Sequence, residues 1–292
     1  MESVWKFARE EEAVLDQLKA VQPFVDAFDR VDRQDWQFHP QFNAIFWAAD
    51  VFDLMRQIKF AHSWMRAWAK TYRRAVRRPT QPSHAHFQTA FFADDCLTRI
   101  ESCRYKLALL VWSFHKPLNP EERVLDFRSV LAAMPCKTDF PVSSQESKLL
   151  KAALETLTGP SFTFAERYRH VKIHRREPRV EIYGRQPHHD PVYVIPVSQE
   201  RLRELKEEIR QKYPPEADSQ AGSTYRRVLG DHRIGKDYYE RRQIKDHIWN
   251  YVEVNRNSKT CFVKLLLAGT QCFRVLADHD WSADSVHERA HS

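Results

Sequence analysis

The chain has 292 residues, 42% of them hydrophobic, with a formal charge of +7. That length supports one substantial core or two small ones, and the mild basicity suits an anionic partner such as RNA as well as it suits an ordinary basic protein. Six Gly in the whole chain, with no GxGxxG run and no GxxxxGK followed by Ser or Thr, argue against a dinucleotide or P-loop fold.

Residues from about Val4 to Phe28 carry apolar side chains at Val4, Phe7, Val14, Leu18 and Val21. This spacing predicts an amphipathic helix that kinks or ends at Pro23. A second helix is predicted from about Phe42 to Arg77, because Ile45, Ala49, Phe52, Met55, Ile58, Met65, Trp68, Tyr72 and Val76 recur every three or four residues. Its basic end, Arg73 to Arg78, precedes Pro79 and reads first as a solvated helix terminus and second as an RNA track beside Tyr72. Trp47, Trp64 and Trp68 of this helix read as core or as a dimer interface.

The third helix, about Phe87 to Phe114, has a wide apolar stripe through Cys96, Leu97, Ile100, Cys103, Leu107 and Leu110, as expected of a central element. A shorter helix follows over about Pro120 to Met134. A fifth spans about Glu146 to Leu157, with Ser143 or Ser144 as its N-cap, and Gly159-Pro160 breaks it. The next segment, Phe162 to His174, ends against Pro178.

Beyond it, Val180 to Tyr183 and Val192 to Ile195 alternate β-branched and aromatic residues around a turn-like Gly184-Arg185-Gln186-Pro187, which predicts a β-hairpin. A charged helix is expected from about Gln199 to Tyr213, capped by Ser198. Residues Pro214 to Thr224 read as a linker. A last long helix is expected from about Tyr239 to Leu276, followed by a polar tail.

Five Cys at 96, 103, 136, 261 and 272 form no CxxC pair, which predicts reduced thiols in a cytoplasmic protein. The N-terminus does not read as a signal peptide, and no apolar run is read as long enough to span a bilayer, so no membrane association is expected. His84-Ala85-His86 and His188-His189-Asp190 read as loop histidines, and no metal or other cofactor is expected.

The segment Tyr168-Arg169-His170-Val171-Lys172-Ile173-His174-Arg175-Arg176 carries the functional signal. Arg169 is a permanent cation shaped to grip phosphate with two donors, and His174, five residues on, is suited to proton transfer near neutral pH. Cleavage of an RNA phosphodiester needs both. The same pair also suits plain capping of helix carbonyls.

This Arg-polar-x3-His run resembles the motif of the HEPN superfamily of helical bundles, with His170 at the polar position. The stretch Phe92 to Leu107, containing Asp95 and Glu101, is similar to the early core helix of that family. The likeness covers roughly residues 42 to 178 and implies a mainly α fold: a HEPN-like antiparallel bundle with extra N- and C-terminal helices and the small hairpin. The corresponding division is an N-terminal extension (1–41), the bundle (42–178), and the hairpin with C-terminal helices (179–292).

The resemblance implies a homodimer in which two Arg169/His174 pairs meet in a cleft and cleave RNA without metal, leaving a 2′,3′-cyclic phosphate and a 5′-hydroxyl. It implies supporting roles for His170, Glu101 and Asp95, and RNA contacts from Lys172, Arg175 and Arg176. The family context is that of prokaryotic toxins and antiviral defence effectors, with an antitoxin or regulatory protein as a further partner. The alternative is a non-catalytic helical dimer that binds nucleic acid, a nucleotide or a protein.

Overall fold

The computed structural model describes residues 1–33, 41–75, 83–116, 126–134, 139–140, 142–174, 179–181, 192–214, 219–234, 237–243 and 248–281. The chain divides into two units, one made of residues 1–184 with 248–292 and the other of 185–247. The first unit therefore takes both chain ends together with the 42–178 bundle, and the division falls inside 179–292.

The first unit is mainly helical. Helices α1 (Glu2–Asp16) and α2 (Val21–Asp32) precede a long hairpin of α3 (Phe42–Ala75) and α4 (Ser83–His115). Then come α5 (Phe127–Ala133), α6 (Ser144–Thr156), α7 (Pro160–His174) and, after the second unit, α10 (Tyr251–Asp278). The single helix expected over 4–28 is two. The break falls at residues 17–20, and Pro23 sits in the first turn of α2, where a missing N–H costs no intrahelical bond.

Local chemistry explains the helix ends. Ser143 and Glu146 form a capping box on α6: the Ser143 hydroxyl accepts from the Glu146 N–H at 3.1 Å, and the Glu146 carboxylate accepts from the Ser143 N–H at 2.7 Å. Asp126 caps α5 by accepting from the Ser129 N–H at 2.6 Å. Gly159 turns the chain from α6 into α7 with φ of 101°, a conformation that side chains with a Cβ rarely adopt.

Helix α10 is the last to join and lies in the centre. It packs against α2, α3, α4, α6 and α7. By length and composition it is apolar enough to cross a membrane, against the expectation that no run reaches that length, yet most of its apolar window is buried within this unit. Val254, Phe262, Leu265, Cys272, Phe273 and Leu276 are all buried. Gly269 lets α2 come close, since a Cβ there would lie 2.7 Å from the Phe24 ring. Cys96, Cys103, Cys261 and Cys272 are free and buried. Desolvation raises all four thiols well above the ordinary range.

The β-structure differs from the expected hairpin. Strand β1 (Arg179–Glu181) pairs in parallel with β5 (Ile248–Asn250), with Val180 opposite Trp249, inside the first unit. In the second unit, β2 (Val192–Pro196) pairs antiparallel with β4 (Asp237–Gln243), which also pairs with β3 (Arg233–Ile234). Residues 179–181 and 192–196 each pair with a distant strand rather than with each other.

The same pairing shortens the last helix. Residues 239–243 and 248–250 are strand, and α10 begins only at Tyr251, where the Asn250 side chain caps it by accepting from the Val252 N–H at 2.8 Å. Helices α8 (Gln199–Lys212) and α9 (Ser219–Asp231) complete the second unit. Helix α9 covers the latter half of the stretch expected to be a linker, and residues 215–218 lie outside the described part.

Candidate functional site

Helix α7 is fixed on its inner side by aromatic packing. Phe162, Ala165 and Tyr168 are buried, and Tyr168 meets the Trp249 ring of β5 at 5.2 Å. At 100° per residue, Arg169 continues the Phe162–Ala165 stripe within roughly 60° of arc. The sequence thus carries the inward face one turn beyond the apolar residues and ends it on a guanidinium.

Arg169 lines a pocket of about 580 Å³ with Glu101, Arg104, Phe127, Arg128 and Glu166 among its neighbours. Three helices, α4, α5 and α7, supply these side chains. Arg104 and Glu101 are the buried charged members, each with 8% of its side chain exposed, and the Arg104 NH1 donates to Glu101 Oε2 at 3.3 Å. Glu166 lies 3.6 Å from the same guanidinium. Arg128, largely exposed, forks onto both Glu166 oxygens at 2.7 and 2.9 Å. The Arg104 guanidinium lies 4.0 Å above the Phe127 ring and 5.3 Å from that of Phe162, an arrangement suited to a weakly hydrated cation.

The network is incompletely satisfied. Glu101 Oε1 and Arg104 Nε are buried and make no hydrogen bond among the described residues. A buried polar atom left unpaired costs about 1–3 kcal/mol. Burial drives the Glu101 carboxyl above its usual range; Arg104 opposes this, Glu166 adds to it, and Arg169 opposes it. Arg169 on α7 therefore acts electrostatically on Glu101 of α4.

Of the other residues singled out in the sequence, His170 is exposed beside Arg169. His174 is the last residue of α7. Its side chain and that of Lys172 lie outside the described part, as do Arg175 and Arg176 entirely. Five positions along a regular α-helix correspond to roughly 140° of rotation and about 7.5 Å of rise. Asp95 is not brought to this pocket. It lies on another face of α4 and bonds Arg99 at 2.8 Å.

Other candidates are engaged elsewhere. Arg73 stacks over Tyr251 and Arg74 over Phe7, so the described part of the basic α3 end lies against rings. His84 packs edge-on to Trp68, and His86 Nε2 bonds the Val180 carbonyl at 2.8 Å. His188, His189 and Asp190 lie outside the described residues. Among the described residues no group of three or more His, Cys, Asp or Glu is placed to hold a metal ion.

Sequence reasoning missed Arg104, Arg128, Glu166 and Phe127. A signal was present for the first: Arg104 interrupts the apolar stripe of the third helix between Cys103 and Leu107, three residues after Glu101. A charge set into a buried stripe calls for a partner.

No known protein family, curated protein or solved structure matches this chain.

Proposed function

We propose that the chain is a HEPN-type, metal-independent endoribonuclease acting as a homodimer, of the kind found among prokaryotic toxins and defence effectors, with Arg169 and His174 as its catalytic residues. The observation that supports this most is the gathering of Arg169, Arg128 and the buried Arg104–Glu101 pair around one pocket at the end of the helix that carries His174. Cations at a recess suit a phosphodiester, and a histidine at the adjacent helix end suits proton transfer.

In the proposed reaction a histidine takes the proton from the ribose 2′-hydroxyl. The 2′-oxygen attacks phosphorus, and the bond to the 5′-oxygen breaks with delivery of a proton to that oxygen. The products are a 2′,3′-cyclic phosphate and a 5′-hydroxyl. Arg169 holds the non-bridging oxygens as negative charge builds on them. The roughly 140° between Arg169 and His174 in a regular helix favours a site completed by the second copy, in which one subunit's Arg169 works beside the other's His174.

The same divergence also supports a second reading, a non-catalytic helical dimer that binds a nucleic acid, nucleotide or protein partner and uses the Arg169 pocket for recognition only.

Incubation of the purified chain with total RNA in EDTA, beside His174→Ala, distinguishes them. Cleavage by the wild type alone, with cyclic phosphate ends, supports the nuclease. Intact RNA in both leaves the binding protein, and cleavage that requires Mg²⁺ or Mn²⁺ rejects the mechanism. Light scattering at micromolar concentration tests the dimer.

A further inference from the structure

The Arg169 pocket has an inside and an outside of opposite chemistry. Its rim carries Arg128 and Arg169, both exposed. Its depth carries Glu101, 7% exposed, whose Oε2 accepts from Arg104 and whose Oε1 has no partner among the described residues. Phe127 and Tyr105 supply aromatic surface in the wall. A volume of about 580 Å³ lies within the range of small-molecule sites, roughly 300–1,000 Å³. A simple inorganic anion would answer the rim and leave the carboxylate unsatisfied. The pocket calls for one molecule with an anionic group at one end and planar N–H donors at the other.

We propose that this pocket is a guanine-nucleotide subsite, in which the Glu101 carboxylate accepts from N1–H and N2–H of the base while Arg169 and Arg128 hold the attached phosphate. This deepens the RNA reading of the same site and rests on it for the source of the nucleotide, a guanosine within a strand. An ionised carboxylate only accepts. Guanine alone among the four RNA bases offers two adjacent N–H donors on its pairing edge. Adenine and cytosine each set one donor beside a ring acceptor, and uracil sets one N–H between two carbonyls. Glu101 Oε1 is covered in the free chain, so entry of the base requires lining side chains to move, among them the Arg128–Glu166 pair, 71% and 41% exposed. An exposed pair of this kind gives little resistance.

The test is calorimetric titration of the full chain with guanosine, adenosine, cytidine, uridine and inosine 3′-monophosphates. Hydrogen bonds to a charged group lead us to expect guanosine to bind about tenfold or more tightly than adenosine, cytidine or uridine. Inosine, which lacks the 2-amino group, falls between. Glu101→Gln brings guanosine to the level of the others, because an amide replaces one acceptor by a donor. Arg169→Ala weakens all five by a similar factor.

Equal affinities on the wild type overturn the proposal, as does a guanosine preference that survives Glu101→Gln. If circular dichroism shows that Glu101→Gln does not fold, the wild-type comparison of guanosine with inosine decides, and equality there overturns it. A guanosine preference in a protein that leaves RNA intact removes the nuclease reading and keeps the subsite. RNA cleavage with no guanosine preference removes the subsite and keeps the nuclease.

Discussion

Arg104 and Glu101 stand one helical turn apart on the inward side of α4, joined at 3.3 Å and both withdrawn from water. The Arg104 guanidinium also lies 4.0 Å from the Phe127 ring, 5.3 Å from the Phe162 ring and 3.6 Å from Glu166. Taking away only the cation leaves the buried Glu101 carboxylate without the partner it bonds. Arg104→Ala should therefore destabilise the fold by about 3–5 kcal/mol, whereas the double change Arg104→Met with Glu101→Leu should cost markedly less. Urea denaturation of the three proteins checks the difference.

His62 provides a pH dependence. It is 1% exposed on α3, and burial, reinforced by Arg66 and Lys259, lowers its pKa to about 4, with the Asn255 backbone working the other way. A depressed folded-state pKa means that stability is fully present above the unfolded value of 6.5 and is lost as pH falls towards 4. Between pH 7 and pH 5 the wild type should lose about 2 kcal/mol from this group. Thermal melts at both pH values should show a smaller loss in His62→Gln.

Two glycines should respond in opposite senses to the same change. A Cβ at Gly269 would lie 2.7 Å from the Phe24 ring, while one at Gly230 of α9 meets nothing within 4 Å. Gly269→Ala should destabilise by about 1–3 kcal/mol through overpacking, despite the better helix propensity of Ala. Gly230→Ala should stabilise its unit by about 0.5–1 kcal/mol. Denaturant midpoints of the two variants report the signs.

If the chain cleaves RNA, His174→Ala should lower the rate by about 10²–10⁴-fold with the circular dichroism spectrum unchanged. Arg169→Lys should fail as well, because an ammonium keeps the charge and loses the two-pronged grip on phosphate. Single-turnover rates in EDTA measure both. A fully active His174→Ala protein would move the chemistry to another residue.

The helices of the first unit were legible wherever apolar periodicity was long. The α3 and α4 stripes and the Ser143 cap announce themselves within a few residues of their observed bounds. What escaped was long-range pairing. Val180 and Trp249 meet across β1 and β5, and Val194 lies opposite Arg241, pairings that no local pattern specifies. The strand before α10 was absorbed into the helix because Ile244, Ile248, Tyr251 and Val252 happen to fit a helical repeat. In the candidate site, Arg169 and Glu101 were visible as chemistry on two helices. Arg128 and Glu166 were not, because their role arises only when α5 and α7 are laid beside α4.

The placement of α10 has a consequence for synthesis. Helices α2, α3, α4, α6 and α7 emerge from the ribosome long before the helix that they enclose. Domains generally fold as units during translation, and exposed apolar surface on incomplete ones invites aggregation. Until residues 251–278 arrive, Phe24, Met55 and their neighbours face an empty groove. The nascent chain carries a helical shell whose seam stays unsealed until α10 is made, and α7, which carries Arg169, lacks one of its packing partners until then.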